Sequence, residues 1–319
     1  MSRVNIIKTG DNYGLCNRLF PFAHLIASAA EYGWEIQNPG FAEFQQHFVG
    51  TCKHRIPGFS GASGSVGFKG TCLPASAYVL MRRLLAKAGV ERRILLGDHD
   101  VCDLSSPDTH KQLERNRTTQ CIGLYFCHNQ AAMKHAGVIQ DYFRPVQGTA
   151  ESAQKSVERA KGQGDLLIGI HLRHGDYETF CNGIMFYSFE EYADLMRTVR
   201  DQLFPQKRVT FLIASNVPLP AEPFREFRYT PAPGHFVADV YALAKCDYIL
   251  GPPSTFSEWA SFYGNVPRYV HLKNDYTWNN RQWPGMHLKD FVPHTTGFAR
   301  CNPSHPASLI ANDNMGEYR

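Results

Sequence analysis

The sequence predicts an α/β fold built on parallel sheets, and three observations predict it. From residue 166 onward, short apolar runs alternate with stretches whose apolar residues recur at helical spacing, the pattern of strands joined by crossover helices. The chain opens in the same way: strand-like Val4-Asn5-Ile6-Ile7 leads through a turn into an amphipathic helix. Polar, glycine-bearing turns then follow the apolar runs, at the carboxyl ends of strands where open α/β sheets bind ligands. With 319 residues the chain accommodates two domains, each with a core of its own.

In the first half, the opening strand ends at Lys8-Thr9-Gly10. Leu19, Phe22, Ala23, Ile26 and Ala30 then share one helical face, and Gly33 stops the helix. Residues 58–70, rich in Gly and Ser, read as a flexible loop able to close over a substrate. They lack the Gly-Lys-Ser/Thr ending of a phosphate-binding loop. A helix over Ala77–Ala88 and strands at Ile94–Leu96 and Cys121–Phe126 complete this half. Thr149–Gln163 reads as a surface helix or linker, with Gly162 and Gly164 marking a boundary.

The second half is more regular. The strand Leu166–Leu172 precedes a helix in which Phe189, Tyr192, Leu195, Met196, Val199 and Leu203 share a face. A strand Val209–Ala214, a helix Phe236–Lys245, a strand Asp247–Leu250, a helix Thr255–Tyr263 and a strand Arg268–Leu272 follow. The expected division is 1–160, 161–290 and a polar tail over 291–319.

Hydrophobic residues make up 43% and charged residues 19%, a globular composition. The net charge of +4 and the 14 histidines are scattered, which argues against a nucleic-acid binder and suits an anionic small molecule. No run approaches the length of a membrane span, and the start lacks a signal-peptide layout. The expectation is a cytoplasmic protein, compatible with peripheral membrane association. The nine cysteines are spread without C-x-x-C pairs and are expected as free thiols. Asp98-His99-Asp100 reads as a solvated turn, and no metal is expected.

The chemistry concentrates at four places. In His171-Leu172-Arg173-His174-Gly175-Asp176, His171 and Arg173 share one strand face, and Arg173 is suited to clamp a phosphate or carboxylate. The alternative is an Arg–Asp pair that stiffens the loop. In Gly251-Pro252-Pro253-Ser254-Thr255-Phe256-Ser257-Glu258-Trp259, Ser254 suits a helix N-cap. The amides of Thr255, Phe256 and Ser257 then form an anion site, or an ordinary capped helix. Asp239, on the preceding helix, is either solvated or poised to accept hydrogen bonds from a guanine edge. Gly14-Leu15-Cys16-Asn17-Arg18-Leu19-Phe20 is a strand–turn–helix junction whose Gly and Asn permit a tight turn.

Taken in order, these motifs resemble the superfamily of α1,2-, α1,6- and protein O-fucosyltransferases, and most closely bacterial α1,2-fucosyltransferase-like enzymes. The signature H-x-R-x-G-D is matched by His171, Arg173, Gly175 and Asp176. Asp239-Val240-Tyr241-x-Leu243-x-x-Cys246 and Ser254-Thr255-Phe256-Ser257-x-Trp259 match the second and third motifs, and Gly14–Phe20 looks like G-x-x-N-Q-L-F. The match covers residues 10–35 and 166–265. It implies a GT-B-like pair of Rossmann-type domains with parallel sheets facing across a cleft, and GDP-fucose as donor. It further implies inversion at the anomeric carbon, a glycan acceptor of cell-surface polysaccharide or lipopolysaccharide type, and no cofactor or metal. By the resemblance, Arg173 holds the β-phosphate and His171 lies beside the ribose–pyrophosphate. Asp239 reads guanine, Ser254, Thr255, Phe256 and Ser257 bind phosphates and ribose, and Gly14 and Asn17 cap the donor from the other domain.

The chain departs from the pattern at three places: His174 replaces a second Arg, Arg18 a Gln, and Glu258-Trp259 a Trp pair. Asp176 is the first candidate for a general base and Glu178 the second; either instead orients Arg173. Competing readings are a transferase using another nucleotide sugar and a nucleotide- or glycan-binding module without turnover.

Overall fold

The structure, a computed structural model, describes residues 5–8, 13–53, 56–61, 65–66, 74–96, 100–115, 118–183, 185–271, 276–278 and 281–283. Residue contacts divide the chain into two units that part between Val146 and Gln147.

The first unit runs β1 (Asn5–Lys8), α1 (Leu15–Tyr32), β2 (Glu35–Gln37), β3 (Gly58–Ser60), β4 (Ser65–Val66), α2 (Ala75–Lys87), β5 (Arg92–Leu95), β6 (Cys102–Asp103), α3 (Pro107–Glu114), β7 (Thr118–Ile122), β8 (Phe126–Cys127), α4 (Asn129–Lys134) and α5 (Ala136–Tyr142). Its main sheet has the order β4-β3-β2-β1-β7-β5. Strands β2, β1, β7 and β5 are parallel, and β3 and β4 add an antiparallel edge. Leu19, Phe22, Ala23 and Ile26 of the predicted α1 face are buried and Ala30 is part-buried, and Gly33 at φ 73° returns its amide to the Ala29 carbonyl at 2.8 Å. Phe22 packs edge-to-face with Phe41, Tyr142 and Phe143 at centroid distances of 5.4, 5.5 and 5.5 Å.

Here the sequence expectation needs correcting. Gly58–Ser60, read as the start of a flexible loop, is a buried strand paired to β2, because Phe59 packs its ring against Tyr142. Residues 62–64 and 67–70, Asp98 and His99, and the expected tail over 291–319 lie outside the described residues.

The second unit runs α6 (Gln147–Lys161), β9 (Leu166–Leu172), α7 (Phe189–Thr198), β10 (Val209–Ser215), α8 (Ala221–Phe224), β11 (Tyr229–Pro231), α9 (Phe236–Leu243), β12 (Tyr248–Gly251), α10 (Thr255–Gly264) and β13 (Arg268–Val270). A short antiparallel pair follows, β14 (Tyr276–Trp278) with β15 (Arg281–Trp283). Helix α6, which the sequence reading set ahead of the boundary at 160, packs on α9, β10 and β11 and belongs to this unit.

All five strands of the second sheet are parallel, in the order β11-β10-β9-β12-β13. The chain therefore lays its strands outward from β9 in one direction, then crosses back and continues from β12 in the other. Between β9 and β12 the connections diverge to opposite sides, the place where open α/β sheets bind ligands at the strands' carboxyl ends. Ile168, Ile170 and Leu172 join the core formed with Tyr192, Leu195 and Met196 of α7. On the alternate face, a Cβ on Gly169 would stand 2.7 Å from a Leu243 methyl and 3.0 Å from the Cys246 sulfur. Glycine here lets α9 lie directly against β9. No helix among the described residues is long and apolar enough to cross a membrane.

Gly169→Ala is expected to destabilise the protein by about 1–3 kcal/mol through overpacking against α9, measured as a lowered midpoint in urea unfolding.

Candidate functional site

Strand β9 pairs with β12 up to Ile170↔Leu250, so His171 emerges beside Gly251. The approach is tight: a Cβ on Gly251 would lie 2.6 Å from the His171 carbonyl oxygen. His171 is 4% exposed and its ring stacks on Phe256, the centroids 5.0 Å apart. Its Nδ1 is buried and finds no hydrogen-bond partner among the described residues. Burial, then the positive charges of Arg173 and Arg268, push its pKa down to about 3, so the ring is neutral at ordinary pH. Leaving a buried nitrogen without a partner costs about 1–3 kcal/mol.

Arg173 follows, half-exposed. Its Nε and Nη2 donate to the two oxygens of Asp176 at 2.8 and 3.0 Å, and its guanidinium carbon stands 5.6 Å from the Tyr177 ring centroid. The pairing with Asp176 raises the pKa of a group that is already permanently charged. Nη1 makes no hydrogen bond among the described residues, which leaves one corner of the fork for an anion. The arginine–aspartate pair and the anion clamp, set against each other by the sequence, are thus compatible in one side chain.

The second turn is held to the first. Tyr177 donates its hydroxyl to the Pro253 carbonyl at 2.9 Å. Ser254 is the N-cap of α10, its Oγ accepting from the Phe256 amide at 3.2 Å, and Ser257 returns its hydroxyl to the Ser254 carbonyl. Thr255 and Phe256 are part-exposed, whereas Ser257, Glu258 and Trp259 are buried. Buried Arg268 reaches toward the Ser254 carbonyl and the Ser257 hydroxyl at 3.3 and 3.4 Å, adding positive charge beneath the helix start. Arg173, Arg268 and the positive end of the α10 dipole meet at this edge of the sheet, balanced in part by Asp176 and by buried Glu258 in the first turn of α10.

Asp239 sits in the first turn of α9, 6% exposed, and accepts from the Gly234 amide at 2.8 Å. Desolvation raises its pKa to about 6 against the opposing effect of backbone hydrogen bonds from Gly234 and His235. In this structure it holds its own helix entry.

In the first unit, Asn17 lies part-exposed in the first turn of α1. Gly14 is its N-cap at φ −61° and ψ 168°, with open space where a Cβ would stand. The tight turn expected there is absent; the backbone is extended and does not require glycine. The departures from the motif pattern fall on side chains engaged in packing. Arg18 binds the Tyr13 and Gly40 carbonyls at 2.7 and 2.8 Å and pairs with Glu43. His174 is 8% exposed, donates from Nε2 to the Tyr187 carbonyl at 2.7 Å, and nests against Phe186 and Phe189.

The sequence reading missed Tyr177, Arg268 and Asn216, whose amide grips the His174 backbone. Asn216 carried a usable signal, since it directly follows a parallel strand. No cluster of His, Cys, Asp or Glu among the described residues could hold a metal ion.

Comparison with solved structures follows this geometry. An Arg-to-Lys mutant of Arabidopsis thaliana FUT1 in complex with GDP aligns with a TM-score of 0.56 at 13% identity, over 84% of this chain and 70% of that one. NodZ α-1,6-fucosyltransferase soaked with GDP-fucose aligns at 0.51 and 14%, over 89% and 100%. The same enzyme co-crystallised with GDP aligns at 0.51 and 16%, over 85% and 96%. The chain shares their fold. No protein-family model matches it, and no curated protein matches it in sequence.

Because the folded-state pKa of His171 lies below the unfolded value of 6.5, the unfolded chain takes up more protons in acid. The stability from keeping this ring neutral is full above pH 6.5 and falls as the pH drops toward 3, by about 2 kcal/mol at pH 5. His171→Phe, which keeps the stack on Phe256, is expected to lose about 2 kcal/mol less than wild type between pH 7 and pH 5 in chemical unfolding.

Proposed function

We propose that this protein is a glycosyltransferase that moves fucose from GDP-fucose to a hydroxyl of a glycan acceptor. The observation that carries the reading is the meeting of Arg173, the His171 ring stacked on Phe256 and the amino end of α10 at the point where the strand order reverses. The shared fold with structures that hold GDP and GDP-fucose supports the choice of donor.

In this reading the pyrophosphate lies against the free corner of Arg173 and the Ser254–Ser257 turn. His171 lies beside the ribose–pyrophosphate, and Asp239 meets the guanine edge. Departure of GDP places charge on the pyrophosphate while the sugar becomes oxocarbenium-like. A fixed guanidinium and a helix start aimed at that charge stabilise the transition state without reorganising. The chemistry proposed is inverting and uses no metal or cofactor. Asp176, both oxygens held by Arg173, orients the clamp, and exposed Glu178 is the better candidate for a base.

Incubation with a panel of nucleotide sugars and acceptor oligosaccharides, read by mass spectrometry, is expected to show transfer from GDP-fucose; turnover of a different donor alone overturns the donor assignment. Arg173→Ala is expected to lower transfer about 10²–10³-fold with the unfolding midpoint unchanged. Asp176→Asn is expected to lower kcat while keeping the acid limb of the wild-type pH–rate profile; loss of that limb assigns Asp176 as the base instead.

A further inference from the structure

Beyond the residues the motifs single out, Asn216 makes an unusual pair of contacts. Strand β10 runs alongside β9 to its last rung, Ser215↔Leu172, where the backbone ladder ends. Asn216 is the next residue, and its side chain continues the ladder in place of the backbone. The His174 amide donates to Asn216 Oδ1 at 2.9 Å, and Asn216 Nδ2 donates to the His174 carbonyl at 3.0 Å. A primary amide is the one side chain that offers an acceptor and a donor in the geometry of a peptide group. His174 cannot slide within this grip, because its ring is also pinned by the Tyr187 carbonyl between Phe186 and Phe189. On the other flank, Tyr192 accepts from the Arg173 amide and donates to the His171 carbonyl, both at 3.3 Å.

We infer that Asn216 is a positioning residue for Arg173, extending β9 by side-chain hydrogen bonds so that the guanidinium leaves the sheet at one fixed height. Arg173 stands between Leu172, the last residue of the strand, and His174, the residue Asn216 grips. Gly175 follows at φ 72°, where the chain turns away. Without the grip, residues 173–175 keep only the Tyr192 hydroxyl on the Arg173 amide and the pinned His174 ring, and the Arg173–Asp176 pair moves as one body. It stays intact as a pair while losing its place relative to α10. Misplacing a group by about 1 Å can cost about 10²-fold in rate. The inference rests on the reading of Arg173 as the β-phosphate ligand.

The test compares GDP with GMP, which lacks the β-phosphate, by calorimetric titration of the full chain. Wild type is expected to bind GDP more tightly than GMP, and Arg173→Ala to bind the two alike. Asn216→Ala is expected to weaken GDP about tenfold and to leave GMP within about twofold. Asn216→Asp, nearly the same shape but unable to donate to the His174 carbonyl, is expected to act in the same direction and guards against misfolding of the alanine variant. In the Arg173→Ala background, Asn216→Ala is expected to change GDP affinity less than about twofold, since the residue acts through the guanidinium. Equal loss of GDP and GMP affinity, or no loss of either, in both Asn216 variants overturns the positioning role while the nucleotide reading stands. Equal affinity of the wild type for GDP and GMP overturns the nucleotide reading itself.

Discussion

Everything at the candidate site depends on the reversal of strand order between β9 and β12. Parallel strands deliver all their carboxyl ends to one edge of the sheet, but in most of the sheet the crossover connections cover that edge. Only where consecutive connections diverge does the edge stay open. Strands β9 and β12 are the pair at that point, and each carries its polar turn there. The same residue types on β11 or β13 would have ended beneath a connection or at the sheet margin. The close approach of the two strands at Gly251 converts a topological opening into a site of atomic dimensions.

The side chains around that opening divide their work between facing it and holding it. His171 and the free corner of Arg173 face it. Asp176, Tyr177, Tyr192, His174 and Arg268 hold the elements that bear them. The positions where the motifs differ from the resemblance, Arg18, His174 and Glu258, are buried or paired residues whose work is support. Replacing one supporting group by another is tolerated if the new one finds partners, as His174 does on the Tyr187 carbonyl.

Much of this was legible in the sequence, and the parts that were not have physical reasons. Strand β9 is legible to its last residue because an apolar run, Leu166–Ile170, opens it, Leu172 continues it past His171, and a glycine turn closes it. Helix α10 was read from Ser254 because an N-cap hydroxyl is a local signal. The short strands β2 and β3 escaped notice: three residues carry too little periodicity, and β3 begins a glycine-rich stretch that imitates a loop. The limits of α6 were read to within a few residues, yet its allegiance to the second unit was not, because packing partners are not a local property. Asn216 announced a place at the end of a parallel strand, but not the partner it holds there. An asparagine after a strand ordinarily marks a turn, and nothing near it in sequence announces a partner 42 positions away.

The Tyr177–Pro253 hydrogen bond and the stack of His171 on Phe256 have a thermodynamic consequence. They tie the β9 turn to the β12 turn before any ligand arrives, so the two halves of the proposed anion site have already surrendered their relative freedom during folding. On that proposal, a diphosphate spends little of its contact energy on ordering its host. Affinity in such a site is governed by what the ligand itself must give up, its hydration and its internal rotations, and stiff or poorly solvated diphosphates gain most from it.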